Sequence, residues 1–255
     1  MRPFFSLLTL MFTVLIGLSA DRPARAEPLR LAVVEWGGLT YKDNNGQYTG
    51  PWFDIMTRIV ASLGQDTELL VLPLPRIFRR LDIGETDLTL FTTNLGQKFL
   101  DMGNGHEPYH RVVLVHQETG IVIVGRKESQ FTGYADLNGH RAAIGIGGCC
   151  FAGFSDNPKI EKLQVPDNVI LKMVTAGRVE AGILLDLDYN FYVTHAGFNA
   201  ADYSPPVVAT PLEAWIHKTK HFKDNAALKR VTETVNRLRT QGVFDRILAR
   251  YRPQS

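Results

Sequence analysis

Residues 29–91 read LRLAVVEWGGLTYKDNNGQYTGPWFDIMTRIVASLGQDTELLVLPLPRIFRRLDIGETDLTLF. Three short apolar runs stand out: Leu29 to Val34, Leu69 to Leu72 and Leu88 to Phe91. Each has the length and continuity of a strand buried on both faces. Gly37 to Gly50 is glycine-rich and polar, and reads as a loop. Phe53, Met56, Ile59, Val60 and Leu63 then recur at helical spacing, and Gly64 supplies a C-cap. Pro75 opens a second helix, with Ile77, Phe78 and Leu81 as its apolar stripe and Gly84 as its stop. The order β-α-β-α-β predicts a parallel sheet covered by helices.

Beyond residue 91 the character changes. Val112 to Val115 and Ile121 to Val124 are two extended runs separated by His116 to Gly120. Asp136 to Gly139 reads as a short helical turn, and Arg141 to Ile146 as a strand ending in Gly145, Gly147 and Gly148. The pattern predicts helices over 157–163 and 169–174, a strand at Ala181 to Leu185, and a helix over 188–195. A second, smaller α/β unit therefore spans about 121–205. Pro205-Pro206 marks a connection, Val207 to Ala209 and Ala214 to His217 read as extended, and the C-terminus is helical with a break at Gly242.

The chain has 255 residues, 45% hydrophobic and 21% charged, an ordinary globular composition with ample material for a core. Its net charge of +2 is carried entirely by the first 26 residues, where Arg2, Arg22 and Arg25 face only Asp21. A neutral remainder argues against non-specific nucleic-acid binding. Arg2, the apolar run Phe4 to Leu18 and the small residues of Ala24-Arg25-Ala26 form an export signal, with maturation expected at Glu27. A retained membrane anchor is the competing reading of the same stretch. The only cysteines are the neighbours Cys149 and Cys150, too close for ordinary disulfide geometry and too few for a metal site.

The segments GPWFDIMTRIVASLG, LPRIFRRLDIGETDLTLF, YADLNGHRAAIGIGG, MVTAGRVEAGILLD and LRTQGVFDRILARY follow one another in an order that resembles the family 3 periplasmic solute-binding proteins, the amino-acid-binding type. The resemblance implies a type II two-lobed α/β fold. A ligand cleft lies between lobes joined by two hinge segments, and the C-terminal helices return to the first lobe. Lobe 1 would be 27–120 with 206–255, and lobe 2 would be 121–205. In the family a Thr and an Arg after the third strand hold a ligand carboxylate; here that segment offers Thr92 and Thr93, with Lys98 near the Arg position. The family's amine-gripping acid falls by strict spacing at Leu185, with Asp186 next to it.

Ligand sites of open α/β sheets lie beyond the carboxyl ends of strands. That rule selects Glu35 and Trp36, Tyr41 and Trp52 in the following loop and helix start, Arg76, then Phe91, Thr92 and Thr93, then Gly147, Gly148 and Cys149, and Asp186. Trp36 and Trp52 could wall a flat or cationic ligand, or pack into a core. Arg76 could fork onto a carboxylate, or pair with Glu85 or Asp87. Gly145 to Gly148 could offer amides to an anion, or simply form a turn needing positive φ. Asp186 and Asp188 could meet a cation, or cap a helix.

No G-x-S-x-G elbow, H-E-x-x-H helix or P-loop is present. The expected protein is a periplasmic monomer that binds a small polar ligand without cofactor or metal and serves an ABC permease. Two alternatives remain at this stage: a cyclohexadienyl-dehydratase-like enzyme with Glu35 or Asp186 as buried acid, and a ligand sensor serving no transporter.

Overall fold

A computed structural model describes residues 27–92, 109–146 and 151–252. The expected signal peptide lies outside them. The first strand, β1 (Leu29–Val34), is followed by a small antiparallel hairpin, β2 (Tyr41–Lys42) and β3 (Tyr48–Thr49), within the expected loop. Helix α1 (Pro51–Leu63) begins on a proline and ends at Gly64, whose φ of 64° is the left-handed cap conformation. Strand β4 (Thr67–Leu72), helix α2 (Leu74–Asp82) and strand β5 (Leu88–Thr92) complete the unit. β1 pairs in parallel with both β4 and β5, the arrangement the alternating order predicts.

The two extended runs after residue 109 are one 17-residue strand, β6 (Tyr109–Gly125). A 3-10 turn (Tyr134–Leu137) and β7 (Arg141–Gly145) follow. The helix expected over 157–163 is not formed: a turn leads into strand β8 (Glu161–Val165), which pairs in parallel with β7. The cause is local. Asn157 Oδ1 accepts from the Lys159 amide at 3.0 Å, and Asn157 Nδ2 donates to Asn138 at 2.9 Å. These bonds hold the backbone in a turn that competes with a helix. Next come α3 (Asp167–Thr175), β9 (Ala181–Leu185) and α4 (Asp186–Thr194), which starts two residues earlier than its spacing predicts. Strand β10 (Val207–Thr219) joins the two expected extended runs, and α5 (Asn225–Thr240) and α6 (Val243–Ala249) close the chain.

The eight main strands form one hydrogen-bonded sheet in the order β4-β1-β5-β10-β6-β9-β7-β8. Continuity of the ladder does not merge the halves. It arises because β6 and β10, the two crossing segments, pair with each other from Tyr109–Thr219 to Ile123–Val207, with register shifts between Val208 and Thr210 and from Leu212 to His217. On one side of the crossing a single apolar core unites Leu31, Ile59, Leu81 and Phe91 with Val231, Val235, Leu238 and Phe244 of the C-terminal helices. On the other, two clusters cover the two faces of β9 and β7, one around Ile183, Leu137 and Phe154, the other around Ile170, Val174 and Tyr192. The fold is thus two-lobed. Full burial of each such Leu, Ile, Val or Phe is worth about 1.5–3 kcal/mol, so each lobe has its own cohesion.

Candidate functional site between the lobes

In parallel sheets the carboxyl ends of β1 and β5 emerge on one edge of the first lobe, and those of β7 and β9 on one edge of the second. The chain leaving β1 and the chain leaving β9 meet. Gly38 N donates to Asp188 Oδ1 at 2.7 Å, and Trp36 Nε1 to Asp188 Oδ2 at 3.3 Å. Tyr41 of β2 lies on Phe191 of α4, ring centroids 4.5 Å apart, and Phe191 stacks on His195.

This approach explains a glycine. A Cβ at Gly38 would stand 2.4 Å from Leu187 O and 2.9 Å from Asp188 Cα, both backbone atoms that cannot swing aside. Only glycine lets the turn after β1 reach the start of α4.

Leu185 is the N-cap of α4, so Asp186 and Asp188 stand inside the first turn rather than at the cap. Both still profit from the positive end of the helix. Asp186 Oδ1 accepts from Thr119 Oγ1 at 2.7 Å and from the Leu187 amide at 2.8 Å. Thr119 belongs to β6, so this carboxylate ties α4 to a crossing strand. Burial pushes the Asp186 carboxyl upward despite these donors. Asp188 is 3% exposed. Burial pushes it up to about 7, against the Gly38 and Trp36 N–H groups, and the carboxylates of Asp167 and Asp186 add to the rise. The Asp167 carboxylate lies directly over Gly145 at the end of β7, where a Cβ would overlap Oδ1. Burial likewise raises the Tyr41 phenol to about 12.

The remaining expected residues fall as follows. Trp36 is half-buried at the junction, as a lobe-to-lobe donor. Trp52 (2% exposed) and Phe91 (0%) sit in the first core, which leaves almost no ring surface for a ligand. Phe91 packs on Phe78, Tyr109 and His217. Thr92 is buried at the end of β5. Glu35 is exposed and accepts from Tyr48 Oη at 3.4 Å. Arg76 is exposed in the first turn of α2. Neither salt bridge considered for it is made: Asp87 is taken by Arg30 at 2.9 Å and Glu85 by Arg80 at 3.5 Å. Thr93, Lys98, Gly147, Gly148 and Cys149 lie outside the described residues.

Sequence reasoning passed over three contributors: Thr119, Gly38 and Asp167. Thr119 sits in a polar interval that looked like a break between strands. Gly38 was one of several loop glycines. Asp167 follows Pro166 at a helix start, a pattern that signals capping more readily than a cleft.

Among the described residues no group of three or more His, Cys, Asp or Glu is arranged to hold a metal ion. None of the described helices is long and apolar enough to cross a membrane.

A model of the bacterial extracellular solute-binding proteins, family 3, matches residues 30–254. Comparison with curated protein sequences returned no match. Solved structures share the architecture at low identity. An ancestral cationic amino acid solute-binding protein superposes with a TM-score of 0.68 and 19% identity, covering 89% of this chain and 96% of that one. A mutant of ArgBP from T. maritima gives 0.65 and 19%, covering 87% and 94%. The VFT2 domain of BvgS from Bordetella pertussis, as a double mutant, gives 0.66 and 15%, covering 98% and 100%. At such identities the superpositions speak for the fold alone. The family match spans almost the whole chain beyond the leader-like segment, and with the two lobes and the crossing strands between them it places this chain among the family 3 bacterial extracellular solute-binding proteins.

Proposed function

We propose that this chain is a periplasmic solute-binding protein that closes two lobes around a small polar ligand and presents it to an ABC permease. The mature protein begins at Glu27 and acts as a monomer. Lobe 1 comprises 27–120 with 206–255, and lobe 2 comprises 121–205. The observation that carries the reading is the convergence of the carboxyl ends of β1 and β9, strands of opposite lobes, at Trp36, Gly38 and Asp188. Strand ends that face each other across two crossing segments form a cleft whose walls move with the lobes.

The ligand is amino-acid-like or an organic acid. In this reading Asp186, the first residue of α4, takes an amine, and Thr92 at the end of β5, with Thr93 and Lys98 beyond it in the sequence, takes a carboxylate. Lysine there would act as a point charge rather than as a planar fork. In this reading Arg76, Glu35, Trp36 and Tyr41 contribute from lobe 1, and the sequence offers Gly147, Gly148 and Cys149 from lobe 2. Binding takes place without chemistry, and closure converts occupancy into a shape a membrane partner can read.

A thermal-shift screen of amino acids, organic acids, polyamines and sugars tests this. A true ligand at 100 times its Kd adds about 2.7 kcal/mol to stability and is recovered unchanged by mass spectrometry. Asp186→Asn should lose most of that shift if the ligand carries an amine. No stabilising compound, or conversion of one, would overturn the reading; turnover of a prephenate-like acid would establish the dehydratase alternative.

A second reading, ligand sensing, is favoured by one observation: the structural neighbours include the BvgS domain and a histidine kinase sensor domain with similarity to periplasmic binding proteins, which superposes with a TM-score of 0.64. Ligand uptake by membrane vesicles that contain the permease separates the two. Stimulation by added protein supports transport; its absence with binding intact supports sensing.

A further inference from the structure

We propose that Asp188 is a proton-sensitive latch between the lobes: from α4 it clasps the Trp36–Gly38 turn of the opposite lobe directly, and closure takes up a proton at this carboxyl group. The proposal rests on the closure part of the reading above. Its test uses no ligand, so either can fail while the other stands.

The geometry is that of a built contact. One carboxylate receives a backbone N–H and an indole N–H from the other lobe, at 2.7 and 3.3 Å. Gly38 leaves no room for a side chain against Leu187, Asp188 and Phe191. Leu187 packs into the core of the first lobe although its helix belongs to the second. Tyr41 on Phe191 extends the contact along α4.

The surroundings make the contact sensitive to protons. Asp186 and Tyr192 face Asp188 from its own helix, and Asp167 from the start of α3. Among the described residues of lobe 1, the hydrogen-bond partners of Asp188 are the neutral Gly38 and Trp36 donors; Glu35 beside them is exposed and receives Tyr48. His195 lies at the far end of α4, stacked on Phe191. Among the described residues no cation is ion-paired with Asp188. An acid closed off from water beside two other carboxylates holds its proton far more firmly than one in solvent.

The sign follows. In the closed form Asp188 titrates at about 7. Once the lobes part and water reaches it, it returns toward the ordinary carboxylate value of about 4. The closed form therefore binds the proton better, and protons favour closure. The closed-to-open ratio should rise about tenfold per pH unit as pH falls from 7 toward 4.

The Gly38 amide is its own probe, because its exchange with deuterium requires release from Asp188. In ligand-free protein, NMR-detected protection of Gly38, corrected for intrinsic exchange, should climb about tenfold per unit between pH 7 and pH 5. X-ray scattering should show a smaller radius of gyration at pH 5 than at pH 8. Asp188→Asn, which removes the titration at constant shape, should be flat in both measurements. Gly38→Ala should be expanded at both pH values. If Gly38→Ala fails to fold, Asp188→Asn still decides. Wild-type protection that is flat or falls on acidification overturns the proposal. So does a slope that persists in Asp188→Asn, or a radius of gyration that does not respond to pH.

Discussion

Asp87 anchors the strand that delivers the turn to the cleft. It lies at the entry to β5 and is 7% exposed. Its Oδ2 accepts from the Arg30 backbone amide at 2.8 Å and from Arg30 Nε at 3.2 Å, while Oδ1 accepts from Arg30 Nη2 at 2.9 Å. Arg30 Nη2 also donates to Gly84 O at 2.8 Å. One carboxylate thus holds both the backbone and the guanidinium of β1. The Arg30 guanidinium is held above its usual range chiefly by the hydrogen bond to Asp87.

Asp87→Ala strips two charge-assisted bonds and one backbone bond from a side chain almost out of water. Breaking a buried pair by removing one partner costs about 3–5 kcal/mol. Arg30 retains 28% side-chain exposure and can turn partly to solvent, so the expected loss is nearer about 2–4 kcal/mol. Asp87→Asn keeps the shape and an acceptor for the Arg30 amide, and should cost about half as much. With a urea slope of a few kcal/mol per molar, the midpoint should fall by about 1 M for Ala and by roughly half that for Asn. Urea titration followed by circular dichroism measures both. If Asp87→Ala costs under about 0.5 kcal/mol, or if Asn costs as much as Ala, the ion pair is not what holds β1, and the reasoning fails.

Other outcomes are equally specific. His217, 2% exposed among Phe91 and Tyr109, is held neutral, with burial lowering its pKa to about 4. The unfolded chain binds a proton near 6.5 where the folded one does not, so stability should fall as pH drops from 6.5 to 4, by about 1.4 kcal/mol per unit at most. Chemical denaturation across that range should show the slope in wild type and a flatter profile in His217→Gln; identical profiles would refute it. Thr119→Val removes a donor that favours the Asp186 carboxylate, so carbon-13 titration should find Asp186 still higher and stability lower by about 1–2 kcal/mol; a lower titration point contradicts the geometry. Tyr251 Oη donates to Asp54 Oδ2 at 2.7 Å and lies 3.3 Å from both Gly50 N and Thr49 Oγ1. Tyr251→Phe should therefore cost about 1.5–3 kcal/mol and speed amide exchange at Gly50; unchanged exchange there would show that the C-terminus does not restrain this loop.

The β-α-β-α-β unit, the cap at Gly64 and the helical C-terminus with its break at Gly242 were all legible in residue order, and the structure makes Gly242 the N-cap of α6. Helical and strand periods, proline starts and glycine stops are local properties, set by a few neighbours along the chain. The run at 157–163 misled because Asn157 satisfies its loop through Lys159 and Asn138, the latter 19 residues away. The interval His116 to Gly120 looked like an interruption because its polar residues lie where the crossing strand passes between two cores. Its strand character comes from pairing with β10.

What residue order determined by itself is therefore the set of elements, their parallel wrapping and the family pattern, because each is written in short-range periodicity. The roles of individual side chains were decided only by the tertiary structure. It sent Trp52 and Phe91 into a core, gave Asp87 to Arg30 rather than to Arg76, and set Asp188 across the lobe junction from Gly38. Partners 57 and 150 positions apart meet only after the sheet has formed and the turn after β1 has reached α4. Burial and electrostatics depend on that final proximity, which no local pattern encodes.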